Sequence, residues 1–208
     1  MRIGISRLHF PVTTLGPGRR VGIWVQGCSI RCPGCISADT WREAEDSVDV
    51  FEMVSRIRPW LAQSDGITIS GGEPFDQPQA LAELLTELRA NSDVDVLVHS
   101  GHPYERLADF LAAWPGLVDA LMTDPFELHQ PQTKMLRGSD NQRLHLLTPR
   151  GRERFAAYER EAQPEDRQLD LMLDDAGVVW LAGIPSRGDM KRQQHVLHDQ
   201  GHFSLTSE

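Results

Sequence analysis

Several things are scarce in this chain. Of its 208 residues only 3 are cysteine and 2 are tyrosine. Three cysteines cannot build a framework of paired disulfides, and thiols this few and this close suit a reducing cytoplasm. No stretch nears the ~18 apolar residues that a membrane helix needs. The first residues, Met1-Arg2-Ile3-Gly4-Ile5-Ser6-Arg7, carry no apolar segment of the secretory type. Basic residues are outnumbered, 21 to 30, for a formal net charge of −9, and they form no run. That balance argues against a nucleic-acid partner. There is no internal repeat and no low-complexity segment. What remains is one cytoplasmic domain with a small appendage, long enough to bury a core.

All three cysteines fall on one short loop, Gly27-Cys28-Ser29-Ile30-Arg31-Cys32-Pro33-Gly34-Cys35. Thiolates at this spacing can hold three irons of a [4Fe–4S] cube and leave the fourth iron open for a small molecule. Two other readings use the same residues. One is a zinc site completed by one of the 8 histidines. The other is three unrelated buried thiols.

A second stretch, Ile67-Thr68-Ile69-Ser70-Gly71-Gly72-Glu73-Pro74-Phe75, reads as a buried strand stopped by two glycines. Gly-Gly permits unusual dihedrals and close approach of a ligand to the main chain. Glu73 adds a carboxylate where an ammonium could be held.

The rest of the chain alternates strands and helices. Strands are expected over residues 2–9, Val21–Gln26, Gly66–Ser70, Val94–His99, Ala120–Met122 and Leu144–Leu147. Helices are expected from Ser47 as cap, with Val50, Met53, Val54, Ile57 and Leu61 on one face and Pro59 bending its end. A second is expected from Asp76 as cap, with Leu81, Leu84, Leu85 and Leu88 aligned. A third starts at Pro103, with Leu107, Phe110, Leu111 and Trp114 aligned. A polar helix is expected over 150–162. Beyond the break at 163–166, Leu169–Leu173, a turn at Asp174–Gly177, Val178–Leu181 and a helix over Asp189–Asp199 complete the pattern. Strand–helix alternation predicts a parallel sheet with covering helices. Ligands of such sheets sit beyond the carboxyl ends of the strands. Cys28, Gly71, Ser100 and Asp124 all stand at such ends, so one pocket could collect them.

The cysteine spacing and the Gly-Gly-Glu turn together resemble the radical S-adenosylmethionine (SAM) enzymes. Within them, Asp119–Glu127, Arg137-Gly138-Ser139-Asp140-Asn141-Gln142-Arg143 and the Cys-Pro-Gly-Cys loop end are similar to the activating component of anaerobic ribonucleotide reductase. Gly16-Pro17-Gly18-Arg19-Arg20 resembles the segment before the cysteine loop in glycyl-radical activating enzymes. The likeness covers about residues 14–148. It implies a partial (β/α) barrel spanning 1–164, with residues 165–208 as a C-terminal hairpin-plus-helix extension packed on the core, which the short activases lack. The far edge of the sheet is the favoured seat for this extension; covering the open side is the alternative. The resemblance further implies a [4Fe–4S] cluster on Cys28, Cys32 and Cys35. S-adenosyl-L-methionine would be held by Gly71, Gly72 and Glu73, with Ser100, Asp124 and Asn141 as further contacts. The implied activity is reductive cleavage of SAM to a 5′-deoxyadenosyl radical that takes a hydrogen atom from a glycine in a glycyl-radical enzyme. A flavodoxin or ferredoxin-type protein would supply the electron. With every cysteine on the loop, none is left to return a hydrogen atom in an epimerase. The alternatives are a stand-alone radical SAM enzyme acting on a sugar, nucleoside or peptide, and a non-catalytic iron–sulfur or zinc protein.

Overall fold

The computed structural model of the chain describes residues 1–173 and 178–201. The turn expected at Asp174–Gly177 lies outside the described residues. The elements are β1 (Arg2–Ile3), β2 (Ile5–Val12), β3 (Arg20–Val25), β4 (Val48–Asp49), α1 (Val50–Leu61), β5 (Gly66–Gly71), α2 (Pro78–Asn91), β6 (Asp95–His99), α3 (Tyr104–Ala113), β7 (Ala120–Thr123), β8 (Arg143–Leu146), α4 (Pro149–Phe155), β9 (Leu169–Leu173), β10 (Val179–Gly183) and α5 (Asp189–Asp199).

The architecture is mixed α/β around a six-stranded sheet of order β2-β3-β5-β6-β7-β8. The four inner strands are parallel. The expectation of an all-parallel sheet needs correcting at the edges, where β2 and β8 both run antiparallel to their neighbours. Each of these outer strands returns directly beside its partner, without a crossover helix.

Side chains alternate across the sheet with period two, as strand geometry requires. Val21, Ile23, Ile67, Ile69, Val96, Val98 and Leu121 face α1, α2 and α3 in the main core. The helical stripes expected from periodicity supply the other half: Met53, Val54, Ile57 and Leu61 from α1, and Leu81, Leu84, Leu85 and Leu88 from α2. Two caps differ from expectation. α1 is capped by Asp49, whose carboxylate accepts the Glu52 N–H, and not by Ser47. α2 begins after Gln77 with Pro78 in its first turn. Asp76 is drawn away by Ser29 on the cysteine loop, whose N–H and hydroxyl it accepts at 2.7 and 2.8 Å. Pro59 sits inside α1, which continues to Leu61. The polar helix over 150–162 is shorter than expected: α4 ends at Phe155 and tightens into a 3-10 turn, Ala156–Tyr158.

The opposite face of the sheet carries Arg20, Thr68, Asp95, Trp24, Leu97, His99, Ala120 and Met122. At its amino end, Arg20 is fully buried. It donates to Thr68 Oγ1 at 2.6 Å, to the Ile67 carbonyl at 2.7 Å and to Asp95 at 2.5 Å, while Phe155 lies against the guanidinium. Arg154 closes the network on the second Asp95 oxygen at 3.0 Å. Gly66 is required beside it, because a Cβ there would strike the guanidinium.

Residues 165–187 cover this second face, while α5 buries none of its residues. β9 and β10 form their own two-stranded sheet. Met172 and Ala182 pack on Val12, Leu15 and Trp24, while Ile184 reaches both this cluster and the one around Leu136 and Phe155. Asp170 accepts four hydrogen bonds from Thr13 and Thr14. At the other side, Gln132 and Arg187 tie the 127–132 loop to the segment after β10. The extension therefore bridges the open side of the sheet instead of lying along a far edge, which corrects the favoured placement. The physical reason is apolar: Trp24, Leu15 and Val12 need a cover.

Breaking a buried ion pair from one side strands a charge, at about 3–5 kcal/mol. Asp95→Ala should destabilise the fold by that order, read by urea unfolding. A loss below about 1 kcal/mol would mean Arg20 is adequately neutralised without Asp95.

Candidate functional site

The site grows from two turns that hold each other. The first follows β3: Gly27, in left-handed conformation at φ 101°, turns the chain into the cysteine loop. The second follows β5 at Gly71, φ 98°, where a Cβ would press on the Val25 main chain. The Gly72 N–H donates to the Val25 carbonyl at 2.9 Å and the Glu73 N–H to the Gly27 carbonyl at 2.8 Å. A Cβ on Gly72 would run into that Gly27 carbonyl. The Gly27 and Cys28 N–H groups donate onward to the Thr40 and Trp41 carbonyls. Close approach of main chain to main chain is thus the demand that fixes glycine at 72.

Beyond these turns is a cavity of about 210 Å³. Cys28, Cys32, Cys35, Gly71, Gly72, Glu73, Ser100 and Asp124 all line it, so the structure brings together eight of the nine residues expected from sequence. Asn141 is the exception. Its side-chain N–H₂ donates to the Pro125 carbonyl at 2.8 Å, and it stands behind the wall. Gln142 lines the cavity instead, its amide oxygen accepting from Gly138 N–H at 2.8 Å.

The three thiols are half-buried. Burial pushes the Cys32 and Cys35 thiols up, which disfavours bare thiolates without a cation to meet. Among the described residues no three His, Cys, Asp or Glu side chains gather as one metal ion requires. A cube asks for something else, one thiolate on each of three irons. Three sulfur donors on one loop, lining the same cavity as the Gly71–Gly72 turn, fit a [4Fe–4S] cluster with a small ligand beside it.

Glu73 is 1% exposed and faces inward. Its Oε1 accepts from Phe75 N–H at 3.0 Å and Ser100 Oγ at 2.9 Å, and its Oε2 from Gly101 N–H at 2.8 Å. A carboxylate has about four lone-pair sites, so one remains. Burial pushes its pKa from 4.5 up to about 7, against the three donors that favour the charge. Ser100 links on to His102 N–H at 3.0 Å. Asp124 holds φ 78°, a strained position for a non-glycine residue. Its carboxylate is clamped by Arg143 at 2.7 and 3.1 Å, and Arg143 reaches Glu105 as well.

Sequence reasoning missed several lining residues. His99 extends from the end of β6 and lines the cavity, and its Nε2 is sealed from solvent with no partner. Burial brings it down to about 4, so it is neutral at physiological pH. A polar residue closing an apolar strand beside Ser100 was the available signal. Arg7 lines the cavity between the Trp24 and Trp180 rings, 5.5 and 4.6 Å from their centroids, and pairs with Asp39 at 2.5 Å. Leu181–Arg187 of the extension complete the wall.

Two measurements test this geometry. Gly72→Ala should cost iron uptake on anaerobic reconstitution as well as ligand binding, because it pushes the cysteine loop through Gly27; full iron content would show that the two turns move independently. Glu73 has a raised folded pKa, so its stabilising contribution is complete below about 4.5 and lost as pH rises through about 7. At about 1.4 kcal/mol per unit, the native protein should lose about 3 kcal/mol more than Glu73→Gln across that window. Parallel urea-unfolding curves between pH 5 and 8 would refute it.

Comparison with known proteins agrees with the donor set. The family described as "4Fe-4S single cluster domain" matches residues 14–145. The anaerobic ribonucleoside-triphosphate reductase-activating protein of Enterobacteria phage T4 is 29% identical over 134 residues, 62% of this chain and 85% of the relative. The pyruvate formate-lyase-activating enzyme of Staphylococcus epidermidis is 45% identical over 85 residues, 38% of this chain. The aligned part is 34% of that relative, so the chain spans about a third of the length of the pyruvate formate-lyase-activating enzymes. A crystal structure of QueE from Escherichia coli aligns at TM-score 0.43 and 20% identity, covering 49% of this chain and 53% of that one. With the cysteine loop and Gly-Gly-Glu turn in one wall, the chain belongs to the 4Fe-4S single cluster domain family and is a radical SAM enzyme whose cofactors are a [4Fe–4S] cluster and S-adenosylmethionine.

Proposed function

We propose that this enzyme activates a glycyl-radical enzyme, such as an anaerobic ribonucleoside-triphosphate reductase, by taking a hydrogen atom from a glycine. The observation that carries this is the joined wall of cysteine loop and Gly-Gly-Glu turn, within a segment shared with an activating protein over 85% of that relative's length. When bound, the cluster and SAM together supply one-electron cleavage of the C5′–S bond and the 5′-deoxyadenosyl radical.

The chain's own residues prepare the site. Cys28, Cys32 and Cys35 hold the cluster. Gly71, Gly72 and the remaining lone pair of Glu73 would hold the methionine amino group. Ser100 sets the Glu73 carboxylate by hydrogen bond, and Asp124, clamped by Arg143, would serve the ribose hydroxyls. Asn141 steadies the Asp124–Pro125 turn through the Pro125 carbonyl. The sheet is read as a partial (β/α) barrel of residues 1–164, with 165–208 as the extension. A flavodoxin or ferredoxin-type protein donates the electron. No described helix is long and apolar enough to cross a membrane, and the net charge of −9 suits neither nucleic acid nor an anionic surface.

One observation favours a second reading. Leu181–Arg187 close over the same cavity as the cysteines, which would suit a sugar, nucleoside or peptide better than a loop of a large protein.

The deciding experiment mixes reconstituted, reduced enzyme with SAM and a candidate glycyl-radical enzyme under anaerobic conditions. The expected result is 5′-deoxyadenosine, methionine and a glycyl-radical EPR doublet on the partner. SAM cleavage coupled only to a small molecule, with no doublet, would establish the second reading. Affinity for SAM should rise with pH through about 7, since Glu73 must be ionised to meet the ammonium; a flat profile would remove Glu73 from the contact.

A further inference from the structure

Trp41 touches the cysteine loop at both ends. Its carbonyl accepts the Cys28 N–H at 3.3 Å. Its indole lines the cavity and lies beside Cys35. Yet the indole Nε1 is sealed from solvent and completes no hydrogen bond. A buried donor left unpaired is costly, and native proteins rarely keep one without a reason.

An indole N–H can only donate, so the missing partner is an acceptor. The half-buried loop beside it offers sulfur. A thiol is a weak acceptor; a thiolate bound to iron carries negative charge and is a far better one. We infer that Trp41 is a positioning residue for the cluster: its indole N–H donates to sulfur at the Cys35 corner and makes the cluster easier to reduce. The inference rests on the [4Fe–4S] assignment above. Its physical basis is that hydrogen bonds to cluster sulfurs set the reduction potential. The positive end of the N–H dipole stabilises the added electron. The segment Thr40–Trp41 thus does two jobs, main-chain support of Gly27 and Cys28 and side-chain control of Cys35.

The test compares three proteins: wild type, Trp41→Phe, and wild-type sequence with 3-benzothienylalanine at 41, which keeps the ring shape and loses the N–H. The Cys28 N–H to carbonyl bond survives in all three. Each is reconstituted anaerobically, assayed for iron and sulfide, and titrated by EPR. Both variants should take up the full cluster and show a lower midpoint, with the reduction equilibrium weakened roughly threefold to tenfold, tenfold being about 59 mV for one electron. Equal midpoints with intact clusters overturn the inference. Should the variants take up no iron, wild type labelled with indole-¹⁵N tryptophan decides. Coupling of ¹⁵N to the reduced cluster supports the hydrogen bond, and its absence overturns it. Failure of wild type itself to assemble a cluster would instead bring down the cofactor assignment on which this rests.

Discussion

The cysteine loop and the Gly-Gly-Glu turn are joined at their roots by two main-chain hydrogen bonds, Gly72 N–H to Val25 and Glu73 N–H to Gly27. They join loops that leave adjacent parallel strands, β3 and β5, whose register pairs Val25 with Gly71. Neither loop is regular structure, so neither would hold its shape alone. Bonded together, each becomes the other's support. The requirement explains the run of small residues better than ligand access does. At 71 the backbone is left-handed, and at 72 there is no volume for a side chain. Any room the glycines leave for a ligand is a consequence of how closely the two turns must pack.

The two faces of the sheet divide the labour. The face under α1, α2 and α3 is uniformly apolar and supplies the main core. The other face is polar at both ends: Arg20, Thr68 and Asp95 at one, Ser70 and His99 at the other. The first set is satisfied within the protein, by Arg154 and by the Ile67 and Pro17 carbonyls. The second opens on the cavity, and His99 Nε2 is left unpartnered. The same strands therefore carry a closed polar network for stability and an open one for ligand, separated by Trp24, Leu97 and Met122.

Much of this could be read from sequence, because the signals were local. The apolar stripe at Val50, Met53, Val54, Ile57 and Leu61 fixed α1, and three cysteines within eight positions could hardly serve separate sites. What escaped was set by contacts distant in sequence. Asp76 looks like a helix cap next to Pro78, but Ser29, 47 residues earlier, claims its carboxylate. Asn141 and Gln142 are adjacent amides that both bond to main chain, the first to Pro125 and the second to Gly138, Ser139 and Asp124, yet only Gln142 also lines the cavity. The antiparallel edges followed from loop paths that periodicity does not encode. The extension was misplaced for the same reason. Its strands show their own alternation but say nothing of Trp24 and Leu15, the surface that draws them in.

The charges around the cavity show what it can receive. Asp124 is neutralised by Arg143, Arg7 by Asp39, and His99 carries no charge at neutral pH. Two groups stand outside these pairs: Arg187, which donates to the Glu127 and Gln130 carbonyls, and Glu73, a buried acid with no basic partner, its pKa raised to about 7 by burial against three donors. Near neutral pH Glu73 is therefore divided between its protonated and ionised forms. A cationic ligand drives that proton off, because its charge repays the cost of ionising the buried carboxyl. An anion does the reverse. Beside Glu73 the wall can therefore match a positive charge without presenting a standing negative one, and the same carboxylate already holds Ser100 and Gly101 at the end of β6.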